Sequence, residues 1–308
     1  MEKRPLIICT DPGIDDFIAL SMLLHRPEFE ILGIICISGN VGLDITVNNA
    51  LLACELNGRK DVPVLAGSAK PLCRPARSAC NIHGKSGLGK SVERYSARTP
   101  IQTDAAVFLA DAAKRLPGKL EVLSLGPLTD VAVAIDRYPE IRSLFKSITV
   151  MGGGIHLGNA TKYAEFNIVA DPEAAEKVFS SGSPIVMVGL DVTHSCVLPR
   201  SEIAKMSSDS ELGRLIPAML NDYADIYHSV HHVEGIIIHD AITAVYLLHP
   251  EWFCTAQRHV DVLLSDDEHL GQTFAEDGKQ TNCTVCMGCD SEKVNGEIVR
   301  SMQAIVNR

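Results

Sequence analysis

The chain has 308 residues, 46% of them hydrophobic and 21% charged, with 28 basic side chains against 38 acidic ones and a net charge of −10. That is enough apolar material to bury a large core without disulfides or structural metals, and the acidic balance excludes a nucleic-acid-binding footprint. No apolar run approaches the roughly 18 residues of a membrane span, and the stretch after Met1-Glu2-Lys3-Arg4 is too short for a signal peptide, so a soluble, cytoplasmic protein with no membrane partner is expected.

Pro5 to Cys9 reads as a short β-rich run and Asp15 to Leu24 carries apolar residues at helical spacing, so the chain opens as strand, acidic turn, helix. Phe29 to Ser38 predicts a second strand ending at Gly39-Asn40, and Leu43 to Leu56 a second helix. Short apolar runs from Val62 to Ala66, Leu120 to Leu125, Ile148 to Met151 and Pro184 to Val188 alternate with helical patterns from Ala105 to Arg115, Leu128 to Tyr138 and Pro172 to Ser180. Strands apolar on both faces and joined by helices predict an α/β fold, with a mostly parallel central sheet covered by helices on both faces. Residues 68–102 are rich in Gly, Ser, Pro and basic side chains, and a segment of that length is expected to be functional or mobile. Beyond residue 200 the pattern turns helical, with Arg214 to His232 the longest stretch, then Asp240 to Leu248, a final pair of strands and a closing helix from Ser291 to Val306. No Pro/Ser linker, low-complexity tract or fixed-period repeat divides the chain, so residues 1–308 are expected to form one domain.

Of the 10 cysteines, Cys9, Cys36, Cys54 and Cys196 lie within or beside apolar runs, where a thiol serves as a small hydrophobe, and reduced thiols are expected. Cys283, Cys286 and Cys289 invite a metal reading by their spacing. Zinc would need a fourth ligand from elsewhere, and Asn282 to Asp290 also reads as an apolar strand, which is the reading adopted.

The densest chemistry lies in Cys9-Thr10-Asp11-Pro12-Gly13-Ile14-Asp15-Asp16. It places three carboxylates at the carboxyl end of the first strand, where open parallel sheets bind ligands. Helix capping accounts for one or two of them. Three acids this close repel one another unless a cation or sugar hydroxyls compensate, so a hard cation held through oxygen, Ca²⁺ or Mg²⁺, is expected, with Ca²⁺ favoured if backbone carbonyls and several carboxylates share it.

From this turn onward the chain resembles the nucleoside hydrolases, calcium-dependent enzymes that cleave the N-glycosidic bond of ribonucleosides. The resemblance continues through Gly39-Asn40, Asn81-Ile82-His83-Gly84, Leu125-Gly126-Pro127-Leu128-Thr129, Val150-Met151-Gly152-Gly153-Gly154, Gly158-Asn159 and Ala164-Glu165-Phe166-Asn167. It closes with Asp171-Pro172-Glu173-Ala174-Ala175, Gly189-Leu190-Asp191 and His239-Asp240, in family order from residue 5 to about 250. It implies a Rossmann-like α/β fold, a Ca²⁺ cofactor, a ribonucleoside substrate and a homodimer or homotetramer. By position, Asp11 matches the general base that activates a calcium-bound water, and Asp11, Asp16, Asp240 and the Leu125 carbonyl match the calcium ligands. Asp15, Asn159, Glu165 and Asn167 match ribose-binding residues, and Asn40 and Met151 match positions lining or bracing the same pocket. His83, Tyr223 and Tyr227 match residues around the base. His239 matches a histidine that sits against the leaving base in the branch associated with pyrimidine or broad substrate use, and it is a candidate proton donor.

The chemistry of the residues agrees. Cleaving a nucleoside requires stabilising positive charge on the ribosyl ring, supplying a water and neutralising the departing base, tasks suited to carboxylates, a divalent cation and an acid. A cation that also takes the ribose diol implies strong discrimination against 2′-deoxy substrates. His228, His231 and His232 ride a polar helix end and read as surface, and His194 reads as bracing the site from outside. Gly152-Gly153-Gly154 with Gly158 lacks the GxGxxG spacing, and close backbone approach to the sugar is its expected use. Ser86 and Ser195 lack a G-x-S-x-G elbow, which excludes a serine hydrolase.

Two departures from the family stand out. Cys9 occupies a place usually held by an acid that supports the metal-binding aspartates, and a thiol cannot accept a charge-assisted hydrogen bond in that way. A calcium-dependent ribosyl-binding protein with reduced or lost turnover is therefore the rival reading. Cys9 also counts against an aspartyl phosphatase of D-x-D type. Lys85 replaces an acid in the His-Gly-acid-Ser stretch and is read as a surface residue.

Overall fold

The computed structural model describes residues 3–90, 92, 94–231, 234–265, 267–276 and 278–308, the side chains of 230 and 231 excepted. The surface placement expected for the His231 and His232 side chains therefore lies outside the described residues. The strands are β1 (Arg4–Thr10), β2 (Phe29–Cys36), β3 (Val64–Ala66), β4 (Glu121–Ser124), β5 (Ser147–Met151), β6 (Ile185–Val188), β7 (Phe253–Val262), β8 (Thr273–Glu276) and β9 (Cys283–Cys289). They form one sheet in the order β3-β2-β1-β4-β5-β6-β9-β7-β8. Every pairing from β3 to β9 is parallel, and β7 runs antiparallel to both β9 and β8. The mostly parallel sheet expected from alternating strands and helices is present, with three strands at its late edge where the pattern predicted two.

The helices are α1 (Ile14–Leu24), α2 (Leu43–Leu56), α3 (Cys80–His83), α4 (Ala105–Arg115), α5 (Thr129–Arg137) and α6 (Phe166–Ala170), then α7 (Pro172–Ser180), α8 (Leu190–Thr193), α9 (Arg200–Ile203), α10 (Glu211–His231), α11 (His239–Leu248) and α12 (Ser291–Val306). Among the described residues, no helix is long and apolar enough to cross a membrane. The two faces of β1 show why the sheet needs cover on both sides. Successive strand side chains point oppositely, so Leu6 and Ile8 join a core with α1, α2, α10, α11 and α12, while Ile7 and Cys9 join one with α4, α5 and α7. The same alternation sends Cys286 into the first core and Cys283 into the second, so the spaced thiols of β9 are strand residues and not one ligand set.

Strand order sets the location of the site. The sequence runs outward from β1 through β2 to β3, then resumes on the other side of β1 at β4. Such a reversal opens a crevice at the carboxyl ends of the two strands, and Asp11 follows β1 there while Leu125 follows β4. All residues of α1 are buried, because apart from Asp15, Asp16 and Ser21 it is built of apolar side chains. The acids of its first turn are thereby carried inside the molecule.

Residues 68–102, expected to be functional or mobile, are tied down at several of their described positions. Ile101 bridges to Leu65, the buried Asp130 accepts from the Ser68 hydroxyl at 2.7 Å, and the buried Asp171 accepts from the Leu72 amide at 2.9 Å. Gly84, Gly87 and Gly89 take φ of 76°, 77° and 79°, a region closed to most side chains. The turns they make bring the Ser86 carbonyl to Asn49 Nδ2 at 2.8 Å and the Lys90 amide to Asp222 at 2.8 Å.

At the opposite end of the sheet, Glu121 is buried and accepts from Arg4 Nε at 3.0 Å and from Lys146 Nζ at 2.6 Å. Burial raises its pKa, but donation from Arg4 and Lys146 outweighs it and holds the carboxyl below its ordinary 4.5. Glu121→Gln is expected to cost about 1–2 kcal/mol at pH 7, since both cationic partners are partly exposed. Because the folded-state pKa is depressed, this contribution is present above the ordinary carboxylate pKa and fades as pH falls through the folded value. Urea melts of wild type and variant at pH 7 and in the acid range check this, and the gap should close on acidification.

Candidate active site

The carboxyl end of β1 turns through Asp11, Pro12 and Gly13 into α1. Asp16 accepts from the Gly13 amide at 2.9 Å, closing the first turn of the helix, and also from Asn40 Nδ2 at 3.1 Å and the Thr10 hydroxyl. Helix capping therefore accounts for one of the three acids, as the sequence allowed. It accounts for neither of the others. Asp11 Oδ2 accepts from the Asn40 amide at 2.7 Å, while Asp11 Oδ1 and Asp15 Oδ1 are buried with no hydrogen-bond partner.

Asp240 arrives from the other end of the chain, in the first turn of α11. Asp15, Asp16 and Asp240 each offer an oxygen, all within 4.8 Å of one another. Asp11 shares their electrostatic environment. Burial first, then the neighbouring carboxylates, push Asp11 and Asp240 well above the usual range, and burial lifts Asp15 to about 6. Buried like charges with orphaned oxygens are unstable unless neutralised. An all-oxygen set of this kind fits a hard divalent cation.

A cavity of about 530 Å³ opens above this group and is lined in part by Asp15, Asn40, Leu125, Met151, Asp240 and His239. Asn159, Glu165 and Asn167 form another part of its wall, and His83, Tyr223 and Tyr227 a third. Every residue expected at the site is thus brought to one place, with Asp11 and Asp16 buried in the acidic group itself. Asn167 Nδ2 donates to the Leu125 carbonyl at 2.7 Å and to the Met151 carbonyl at 3.1 Å, tying the ends of β4 and β5 together. Glu165 caps α6, accepting from the Asn167 amide at 2.9 Å and the Ile168 amide at 3.1 Å, and from the Gly153 amide at 3.1 Å. Burial still raises it to about 7.

The far side of the cavity is aromatic. His239 Nε2 meets the Tyr227 hydroxyl at 2.9 Å and Nδ1 meets the Thr193 hydroxyl at 2.8 Å. Tyr223 packs edge-on against Tyr227 at 4.8 Å between ring centroids, and His83 lies 5.6 Å from Tyr223. His83 Nδ1 accepts from the Ile14 amide at 3.2 Å, and burial lowers its pKa to about 4, so its ring is neutral.

Sequence reasoning missed Thr193, which lies just beyond the matched Gly189-Leu190-Asp191 block and has no signature of its own. It also misplaced His194, whose ring lies 5.8 Å from His239 and which lines the cavity instead of bracing it from outside. The glycines at 152–154 and 158, expected to let backbone approach a sugar, make room for the protein's own chain. A Cβ at Gly154 would lie 2.3 Å from the Leu157 carbonyl oxygen, and one at Gly158 would lie 2.4 Å from the Ala164 nitrogen. Lys85 is exposed and outside the cavity lining. Cys9 points into the core on the α4–α5 side, and the acids of the site draw their hydrogen bonds from Thr10, Gly13 and Asn40 instead.

The profile of the inosine-uridine preferring nucleoside hydrolase family matches residues 6–296. A pyrimidine-specific ribonucleoside hydrolase, RihA, of Salmonella gallinarum (strain 287/91 / NCTC 13346) is 36% identical over 297 residues, covering 94% of each chain. Among solved structures, the plant nucleoside hydrolase PpNRh1 superposes with a TM-score of 0.94 at 31% identity, over 98% of this chain and 100% of that one. The purine-preferring ribonucleoside hydrolase from Gardnerella vaginalis gives 0.92 at 28% identity, over 98% and 99%. The chain belongs to the inosine-uridine preferring nucleoside hydrolase family. It is a ribonucleoside N-glycosidase.

Two further glycines grip the acid at the end of β1. A Cβ at Gly39 would fall 2.1 Å from Asp11 Oδ2 and one at Gly126 would fall 2.4 Å from Asp11 Oδ1. Gly39→Ala and Gly126→Ala should each displace that carboxylate and lower kcat by about 100-fold, with circular dichroism unchanged. Near-normal turnover in either variant would show that the position of Asp11 does not matter.

Proposed function

We propose that this enzyme hydrolyses ribonucleosides to ribose and free base with Asp11 as general base and His239 as proton donor to the leaving base, at a Ca²⁺ site formed by Asp11, Asp16, Asp240 and the Leu125 carbonyl. The observation that carries the reading is the pair of buried, partnerless oxygens, Asp11 Oδ1 and Asp15 Oδ1, inside a cluster of carboxylates that raise one another's pKa. When bound, the cation neutralises that cluster and lowers the pKa of an adjacent water. Asp11 Oδ1 is free to take the proton from the attacking water, while Oδ2 is fixed by Asn40.

Asp15, Asn40, Met151, Asn159, Glu165 and Asn167 surround the ribose in this reading, and the carboxylates stabilise the oxocarbenium-like charge that develops on the ring. His83, Tyr223 and Tyr227 pack against the base. Held between Thr193 and Tyr227, the His239 ring is fixed in orientation, and its Nε2 is the atom that delivers a proton. The continuous nine-stranded sheet supports one domain per chain. Assembly as a homodimer or homotetramer rests on the family resemblance, and placement in the cytoplasm on the sequence.

The test is to incubate the protein with inosine, uridine and cytidine in Ca²⁺ and to assay reducing sugar. Sugar release is expected, abolished by Asp11→Asn (at least ~10³-fold) without loss of fold. Nucleoside binding without sugar release would favour a ribosyl-binding protein disabled by Cys9. A strong chelator should suppress turnover and added Ca²⁺ restore it; indifference to chelation would remove the cation.

His239→Ala should reduce turnover of natural nucleosides by ~10²-fold while sparing aryl ribosides whose leaving group needs no proton. Comparing kcat on the two substrate types decides the matter, because equal losses would rule out an acid role.

A further inference from the structure

The segment that follows α8 meets β9 through two thiols. Cys289, at the end of β9, and Cys196 bring their Sγ atoms to 3.2 Å although 93 positions separate them in sequence. Cys196 is fully buried and Cys289 half-buried. The Ser195 hydroxyl lies 3.8 Å from Cys196 Sγ and 3.6 Å from Cys289 Sγ. This is an asymmetric pair: hydrogen bonds from Cys196 and Ser195 pull Cys289 down to about 7, while the same bond and burial push Cys196 up. An accessible, acidic thiol beside a buried one has the arrangement of an attacking and a resolving cysteine.

We propose that Cys196 and Cys289 form a peroxide-oxidisable dithiol whose disulfide ties the cavity-lining segment 194–197 to the central sheet. The Cys289 thiolate attacks one peroxide oxygen, breaking the O–O bond and giving a sulfenic acid, with the other oxygen leaving as water after protonation. Cys196 sulfur then attacks the sulfenic sulfur, forming the S–S bond and expelling the second water. Two thiols lose two electrons and two protons overall, and one hydrogen peroxide becomes two waters. Closing from 3.2 Å to the roughly 2.05 Å of a disulfide requires only a small side-chain movement.

The tie acts on the pocket through neighbours of Cys196. His194 and Val197 both line the cavity, and His194 lies 5.8 Å from the His239 ring. Asn295 of α12 already holds the Val197 carbonyl at 3.0 Å, so the disulfide would add a covalent anchor from β9 to a segment fixed from α12. The tie depends on the thiol pair and on the cavity lining beside it, whichever nucleoside is cleaved.

Reduced full-length protein treated with a few equivalents of hydrogen peroxide, then denatured, alkylated and mapped by mass spectrometry, gives the test. The expected result is a Cys196–Cys289 crosslinked peptide pair, lighter by two hydrogens and reversed by dithiothreitol, with Cys73, Cys80 and Cys254 still alkylated. Amide exchange at 194–197 should slow, and Tm should rise by about 5 °C or more, since the closed loop is long. Cys196→Ser should trap Cys289 as a dimedone-reactive sulfenic acid and lose both the crosslink and the Tm rise. If that variant does not fold, Cys289→Ser should abolish the crosslink and leave Cys196 alkylated. Ten alkylated thiols after peroxide, an intermolecular bond, a Cys289 paired elsewhere, or a crosslink without slowed exchange or raised Tm would each overturn the proposal.

Discussion

The constraint on which the structure turns is the repulsion among four carboxylates buried at the carboxyl end of the first strand. Asp11, Asp15, Asp16 and Asp240 sit where water cannot screen them; burial raises the pKa of all four, and neighbouring carboxylates add to it for Asp11, Asp16 and Asp240. Charges in such surroundings are tolerated only if fixed donors or a counter-ion meet them. The fold supplies donors for Asp16 and for one oxygen of Asp11, from Thr10, Gly13 and Asn40. The orphaned oxygens of Asp11 and Asp15 are left for the attacking water and the ribose in the proposed reaction, while the cation would neutralise the group as a whole. An acidic group held in place before substrate arrives needs little reorganisation during reaction, which is the condition under which electrostatic stabilisation is most effective.

Much of the remaining architecture keeps that group from relaxing apart. The absence of side chains at Gly39 and Gly126 lets two backbone segments close on Asp11. Further out, Asp130 and Asp171, both buried, hold the chain beyond β3 through Ser68 and Leu72, and Asp171 also accepts from the Thr129 hydroxyl at the start of α5. Asp191 accepts from the Ile155 and His156 amides at 2.6 and 3.1 Å and so fixes the loop after β5. These acids use backbone and hydroxyl donors and take no part in the proposed chemistry. They position the turns that carry it, as supporting hydrogen bonds around a reactive centre commonly do.

The aromatic wall follows a different logic. His83 is neutral because burial has removed the solvent that would stabilise its cation, and its Nδ1 is spent on the Ile14 amide. His239 retains partners at both nitrogens, each a hydroxyl able to donate or accept. A ring so placed can change proton state without changing position, which suits the transfer proposed for it. The thiol pair Cys196 and Cys289 adjoins the same wall, since His194 and Val197 beside Cys196 line the cavity.

Alternation of apolar runs with helical periodicity, read along the chain, established the α/β class and most strand and helix positions, because both periodicities are local properties of the backbone. The cluster Asp11, Asp15 and Asp16 was visible for a similar reason: three acids in six positions are more than the one or two that helix capping uses. Thr193, the lining role of His194 and the pairing of Cys196 with Cys289 were not visible. Each depends on segments far apart in sequence meeting across the sheet, and nothing in the neighbouring residues encodes that meeting. The glycines of 152–158 illustrate the same limit, since their composition announces close approach while only the packed loop decides which atoms approach. The sequence by itself determined which groups were available for chemistry; tertiary structure decided which of them lost their water together, and shared desolvation turns separate carboxylates into one site.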